Sequence, residues 1–180
     1  MALKPGLMVA AADAPREMLN LAVGDIVVYG AHGAGSVAAH ETRRVQGADE
    51  KVVVIALAGG LSVQLPLKRA QEHLRPIVDK AGIAIVQEVL RAPAEISKDS
   101  WLKRRRDSEV KLRDAIGLAE IIRDANARET APARGTGSHL SPGERELVGR
   151  ARKLLTHEIA LARGVSAEEA EAWLDAQLAR

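Results

Sequence analysis

A tryptophan and the cations that follow it have the clearest chemical potential in this chain, in the run Trp101-Leu102-Lys103-Arg104-Arg105-Arg106. Residues 98–113 hold seven basic side chains against three acidic ones, whereas the segments 1–79 and 130–180 each carry equal numbers of both. On about four helical turns, such a surplus is a candidate footprint for a polyanion, because lysine and arginine neutralise phosphates. A tryptophan exposed beside these cations could serve as an apolar wedge or as a stacking surface for nucleic-acid bases.

Trp101 also has a purely structural interpretation. No apolar residue stands between Leu102 and Val110, so on a helix Trp101 has no core neighbours of its own. It could instead fold back onto residues 93–98, with the cations forming an ordinary solvated face. Trp173 differs, because it lies in an amphipathic helical pattern and is predicted to pack in a core. Composition alone leaves both interpretations of Trp101 open.

Residues suited to catalysis or metal binding form no recognisable constellation. The five histidines are scattered without ligand spacing, and the absence of cysteine excludes disulfides, thiol nucleophiles and Cys-based metal sites. Gly30, Gly33 and Gly35 superficially resemble a phosphate loop, but a strand pattern follows where that loop needs a helix. We therefore predict a binding protein with no catalytic residues, no metal site and no cofactor.

The first half of the chain has the pattern of a small antiparallel β-barrel. Short runs rich in Val, Ile and Leu are separated by glycine-containing turns, which is typical of strands. The runs are 21–29, 36–42, 52–58 and 61–67, and the predicted turns are 30–35, 46–50 and 59–60. So small a sheet has exposed edges, and an exposed edge is a natural docking surface for another chain.

After Pro76 the apolar period becomes helical and predicts a bundle of about five helices. Ser141 and Ser166 open capping boxes with glutamate three positions later, and Gly164 is predicted to end the helix between them. The predicted helices cover about 83–91, 99–113, 114–125, 141–163 and 166–178, with a loop over 130–139. The helix that begins at Asp99 or Ser100 carries the tryptophan and its cations.

The predicted organisation is α+β, with a barrel followed by an all-helical bundle. Residues 1–20 show no periodicity and are predicted to be a tail, residues 21–76 to be the barrel module and residues 77–180 the helical module. No stretch approaches the roughly 20 apolar residues that a bilayer span needs. We therefore expect a cytoplasmic, monomeric protein with no membrane partner.

A series of short motifs runs in order through both modules. In the barrel module they are Val23-Gly24-Asp25-Ile26-Val27-Val28-Tyr29, His32-Gly33-Ala34-Gly35 and Glu41-Thr42-Arg43. In the helical module they are Val89-Leu90-Arg91-Ala92-Pro93, Trp101 with its cations, Ala119-Glu120-Ile121-Ile122-Arg123-Asp124 and Leu140-Ser141-Pro142-Gly143-Glu144-Arg145. Their order and spacing, from about Leu21 to the C-terminus, resemble those of CarD-type bacterial transcription regulators.

The resemblance implies a Tudor-like barrel that docks on the β subunit of bacterial RNA polymerase, partly by strand pairing at an edge. It also implies a helical module that contacts promoter DNA at the upstream edge of the transcription bubble. In that picture Trp101 wedges into the minor groove, Lys103, Arg104 and Arg106 hold phosphates, and Arg43 contacts polymerase. The expected result is a stabilised open complex.

Two departures from the family pattern bear on these roles. Gln64 stands where relatives often have a basic residue, so the polymerase contact at that position is expected to be weakened or replaced. Arg105 stands at a position that is often aromatic, which affects packing beneath Trp101.

The alternative function is a protein-only adaptor whose basic helix binds an acidic protein surface. The salt dependence of DNA affinity would separate this adaptor from a DNA-binding regulator.

Overall fold

The computed structural model describes residue 19 and residues 21–45, 47–94, 101–130 and 140–179. Within these ranges the side chains of Val45, Trp101, Leu102 and Arg104 are not described. Almost all of the predicted tail, the loop after Thr130 and the predicted cap at Asp99 or Ser100 therefore lie outside the described residues.

Five antiparallel strands form one sheet in the order β4-β3-β2-β1-β5. The strands are β1 (Ile26–Tyr29), β2 (Ala34–Val45), β3 (Ala48–Leu57), β4 (Ser62–Pro66) and β5 (Leu74–Pro76). Alternate residues of β3, Val53, Ile55 and Leu57, enter a core with Val37 of β2 and Leu65 of β4. Residues Val52 to Ile55 are four consecutive β-branched residues, all of them buried, and β-branched residues favour strands.

The hairpin between β2 and β3 is longer than the sequence indicates. We predicted a turn over 46–50, but Val45 pairs with Ala48, so residues 48–50 belong to β3 instead. The hairpin extends past the ends of the neighbouring strands β1 and β4. This two-stranded extension consists of four cross-strand pairs, from Thr42 with Lys51 to Val45 with Ala48. No other described strand flanks the extension, and few of its residues are apolar. Without an apolar pattern, the ends of β2 and β3 could not be predicted from the sequence.

The barrel module contains a short helix and a fifth strand that the sequence analysis missed. The predicted strand 61–67 ends at Pro66, and helix α1 (Leu67–His73) returns the chain to β5, which pairs with β1. Ala70 and Leu74 are buried in the barrel core. Seven residues of helix and three of strand are too short to establish a sequence period.

In the described part of the chain five helices follow the sheet, which is the number predicted: α2 (Lys80–Arg91), α3 (Trp101–Lys111), α4 (Ala115–Thr130), α5 (Pro142–Arg163) and α6 (Ala167–Leu178). Capping boxes at Ser141 and Ser166 open α5 and α6, and Gly164 ends α5 in the left-handed region with φ of 65°. Asp79 caps α2, and Asp114 accepts a 2.8 Å hydrogen bond from the amide of Gly117 at the beginning of α4. The α+β prediction is therefore confirmed.

The helical core centres on α4 and α5. Fully buried Leu118 and Ile122 of α4 pack in one cluster with Leu155 and Ile159 of α5. Trp173 is partly buried against the same cluster, in agreement with its predicted packing. No helix within the described ranges combines the length and apolar character needed to cross a membrane.

The barrel and helical modules contact each other directly. Ala31, in the short turn between β1 and β2, packs against the helical core. Arg150 of α5 donates a 3.0 Å hydrogen bond to the carbonyl oxygen of Ala31. A Cβ atom at Gly33 would lie 3.1 Å from Leu154 Cδ2, so a larger residue there would press on α5.

Candidate nucleic-acid and protein interfaces

The described side chains of helix α3 lie outside the core. Among its side chains that the structure describes, none is buried, and Lys103, Arg105 and Arg106 are exposed. Even the apolar Val110 is 65% exposed. Lys103 and Arg106 are three positions apart, so they are neighbours on the helix surface. The side chains of Trp101 and Arg104 are among those not described, so their predicted roles stay predictions.

The C-terminal end of α3 is attached to the rest of the helical module. Leu112, directly after the helix, is fully buried in the helical core. The turn into α4 is tight, because a Cβ atom at Gly117 would meet the carbonyl oxygen of Lys111 at 2.4 Å. Lys111 also forms a 2.7 Å ion pair with Glu120 of α4. The N-terminal residue Trp101 therefore begins about 15 Å along the helix axis from the anchored end.

A cleft of about 210 Å³ separates α3 from the beginning of α5, and Arg105 lines it. Its other lining residues are Glu109, Gly143, Glu146, Leu147 and Arg150. The cleft thus places an arginine where the family pattern often has an aromatic residue, and each of the two helices contributes one arginine and one glutamate to its lining. This balance of charge gives the cleft no preference for an anion.

Arg43 lies on the two-stranded extension of the β2–β3 hairpin, opposite Glu50. Its Nε donates a 3.2 Å hydrogen bond to Glu41 on the same strand, and the side chains of Arg43 and Glu41 are 51% and 41% exposed. An ion pair as exposed as this contributes little to stability. Arg43 is therefore accessible to a partner at small cost to the fold.

Gln64 is exposed on β4, which pairs with β3 and with no other described strand. The register places Gln64 opposite Val54, and Val54 opposite Ala39 of β2. Arg43 lies four residues beyond Ala39, an even number, so Arg43 and Gln64 project from the same face of the sheet. The two predicted polymerase contacts are roughly 13 Å apart along the strands and 10 Å across them.

Glu144 shows how the beginning of α5 is fixed. Its carboxylate accepts hydrogen bonds from Arg128 at 2.5 Å and from the backbone amide of Ser141 at 2.8 Å, and its side chain is 9% exposed. Burial by itself would raise the pKa of Glu144, but the bonds from Arg128 and Ser141, with the positive charge of Arg128, hold this pKa at about 2. The capping box was predicted; its arginine partner was not.

Arg75 and Glu158 form a pair that the sequence analysis did not identify. Glu158 is only 2% exposed on α5, and both of its oxygens accept hydrogen bonds from Arg75 of β5. The two residues are 83 positions apart, so no local pattern connects them. The available signal was an acidic residue inside the apolar stripe formed by Leu155 and Ile159, where a carboxylate requires a partner.

Two family models match the chain, one on each module. The CarD-like/TRCF RID domain matches residues 21–78, and the CarD C-terminal domain matches residues 85–175. The first match covers the five strands with α1, and the second covers most of α2 and all of α3 to α5, with much of α6. Both are regulatory or interaction domains associated with transcription. With these two domains in this order, the chain belongs to the CarD family of transcription-associated regulators.

Proposed function

We propose that this protein binds the β subunit of bacterial RNA polymerase through its barrel module and promoter DNA, at the upstream edge of the bubble, through its helical module. Bound in this way, it stabilises the open complex. The observation that carries the proposal is α3, a helix with exposed cations and no described buried side chain, attached to the core at one end.

The composition of α3 favours DNA as its partner. A helix usually gains its stability from an apolar stripe packed on a core, and the described part of α3 has none. Its exposed Lys103, Arg105 and Arg106 can instead neutralise phosphates and release counterions. Trp101 lies at the N-terminal end of α3, where an apolar side chain could enter a base step while the cations hold the flanking backbone.

The barrel module supplies a surface suited to a protein partner. Strand β4 has an edge that no other described strand covers, and an extended segment of polymerase could add to it by main-chain hydrogen bonds. Arg43 and Gln64 share one face of the sheet and would supply side-chain contacts beside that edge. An uncharged Gln64 predicts that Arg43 provides more of the electrostatic contribution.

Two contacts on one protein can stabilise an open promoter complex only if they are stronger in that state than in the closed one. Docking on polymerase is available in both states. Insertion of Trp101 depends on an unstacked or deformed base step, which is present at the upstream edge of the bubble. The helical module therefore supplies the differential contact, and the barrel module supplies the local concentration.

A site-specific crosslinking experiment tests the docking surface. A photoreactive residue at Gln64 of the full chain should crosslink to the β subunit of purified polymerase. The same residue at Glu168, which is exposed at the beginning of α6, is the control and should give no β-subunit product. Equal crosslinking from both positions, or none from Gln64, would contradict docking at β4.

A further inference from the structure

We infer that Arg75 and Glu158 are positioning residues that fix the orientation of α3 relative to the polymerase-docking sheet. The inference rests on the proposed function, because it assumes that the sheet and α3 face different partners. Neither residue is expected to touch polymerase or DNA. Their role is to determine where the N-terminal end of α3 lies once the sheet has docked.

The contact between Arg75 and Glu158 is bidentate. Arg75 Nη1 donates to Glu158 Oε1 at 2.6 Å, and Nη2 donates to Oε2 at 2.7 Å. A planar guanidinium and a planar carboxylate joined by two parallel bonds have a fixed mutual orientation. Because Arg75 belongs to β5 and Glu158 to α5, this geometry fixes the angle between the two modules.

Both side chains also bind backbone near the module junction. Arg75 Nε donates to the carbonyl oxygen of Arg113 at 3.0 Å, in the turn between α3 and α4. Glu158 Oε1 accepts from the amide of Val78 at 3.2 Å, in the segment between β5 and α2. The last strand of the sheet is thus bonded directly to the anchored end of α3, and the same carboxylate holds the connecting segment.

One face of α5 carries several contacts to the barrel module. Arg150, Leu154 and Glu158 are spaced four residues apart, so they lie along one face of the helix. Arg150 bonds Ala31, Leu154 meets Gly33, and Glu158 bonds Arg75. The interface therefore has polar contacts at both ends and an apolar contact between them, which restricts rotation as well as separation.

The burial of Glu158 makes this contact all or none. Its side chain is 2% exposed, and that of Arg75 is 25% exposed. Removal of either partner leaves a buried charge or polar group unsatisfied, so a slightly rotated interface is not a stable alternative. A rigid connection also lowers the entropy lost when the second partner is bound, so docking of the sheet holds α3 near the DNA at high effective concentration.

The chain has no cysteine, which allows the orientation to be measured directly. Spin labels attached to cysteines at Val23 of the barrel module and Val110 of α3, which are 63% and 65% exposed, would report the distance between the modules. In the labelled full chain, Glu158→Gln should broaden the distance distribution. Arg75→Gln is a second variant, at the more exposed partner, for use if Glu158→Gln fails to fold.

Arg152→Gln is the matched control. The side chain of Arg152 is 28% exposed, a fraction similar to the 25% of Arg75. It pairs with Asp175, but this pair joins α5 to α6 within the helical module. Its replacement should leave the distance distribution narrow. In unlabelled chains, Glu158→Gln should retain polymerase binding and DNA affinity, yet shorten the open-complex lifetime by about tenfold through lost preorganisation.

Different results would overturn the positioning role and the proposed function. A narrow, unchanged distance distribution in folded Glu158→Gln and Arg75→Gln would overturn the positioning role, whatever the protein does to polymerase. A broadened distribution with an unchanged lifetime would also overturn it, because orientation would then not matter. If the unsubstituted chain neither binds polymerase nor prolongs the open complex, the proposed function fails, and the positioning role fails with it.

Discussion

Arg128 and Glu144 join the end of α4 to the first turn of α5 through a 2.5 Å hydrogen bond between Nη1 and Oε1. The side chains are 17% and 9% exposed, so water screens this pair less than a surface pair. Residues 131–139 connect the two helices. The pair therefore fixes the helix ends on either side of that segment, independently of the segment itself.

Acid should destabilise the protein partly through Glu144. Its pKa is about 2 in the folded chain against an ordinary value of 4.5. A depressed carboxyl pKa contributes stability in full above the unfolded value, and this contribution is lost as the pH falls from about 4.5 towards 2. The difference corresponds to about 3 kcal/mol at most. Glu144→Gln should therefore melt earlier at pH 7 and lose less of its stability on acidification.

Glu169→Gln is the control for that measurement. Glu169 occupies the same place in the capping box of α6, but its cap hydrogen bonds are exposed. Thermal melts of both variants and the unsubstituted chain between pH 7 and pH 2 give the comparison. If both variants change the pH profile equally, capping rather than the buried ion pair explains the effect.

Polymerase binding should depend on Arg43. Arg43→Glu replaces a cation that is 51% exposed and breaks one exposed ion pair, so the free energy of unfolding should change by less than about 1 kcal/mol. Reversal of charge against an acidic partner should weaken binding at least about tenfold. Binding of the full chain to purified polymerase, with a melting curve of each variant, measures both quantities.

Arg44→Glu provides a matched comparison on the neighbouring residue. Arg44 is exposed and pairs with Asp49, but it projects from the opposite face of the β2–β3 hairpin. It should weaken polymerase binding less than Arg43→Glu does. Equal losses would mean that net charge, rather than the face shared by Arg43 and Gln64, governs binding.

The cations of α3 should contribute to DNA binding, and their contribution should fall as the salt concentration rises. Lys103→Gln and Arg106→Gln should each lower DNA affinity with little regard to sequence. Each should also reduce the log-log salt slope by about one, because one phosphate contact is lost. Lys153→Gln, which removes an exposed cation from α5, should leave the slope nearly unchanged. A salt-independent affinity would instead favour an adaptor that binds an acidic protein surface.

Local signals in the sequence were sufficient to place the beginnings of the last two helices. Ser141 and Ser166 each carry their capping partner three residues away, so the beginnings of α5 and α6 could be predicted from short stretches. The barrel was harder. Helix α1 and strand β5 are short. Strand β5 forms by pairing with β1, which is distant in sequence, so no local pattern predicts it.

The features of the candidate interfaces also differ in whether the sequence could predict them. The cations of α3 are adjacent in sequence, so their charge could be recognised without a structure. Arg43 and Gln64 share a face of the sheet because of the strand register. The hydrophobic pattern could not predict this register, because Arg43 lies on the polar extension of the hairpin. The Arg75–Glu158 contact depends on packing between modules and could not be predicted from either module alone.

Trp101 and Trp173 should respond to truncation in opposite ways. Trp173 packs against the helical core with Arg163 located 5.5 Å from its ring centroid. Trp173→Ala should therefore cost about 2–4 kcal/mol, somewhat less than a fully buried tryptophan because it is only partly buried. That cost should lower the melting temperature by about 5–15 °C in a protein of this size.

Trp101→Ala should affect function instead of stability. Trp101 begins a helix whose described side chains bury nothing, so its loss should lower the melting temperature by no more than a few degrees. A wedge or stacking contact worth about 1–3 kcal/mol implies an open-complex lifetime shortened by about one to two powers of ten. Polymerase binding through the barrel should survive, because that surface is separate from α3. Melting curves and open-complex decay should be measured for both variants together. If Trp101→Ala melts far earlier while Trp173→Ala does not, Trp101 is the core residue of the two, and its proposed insertion into DNA must be abandoned.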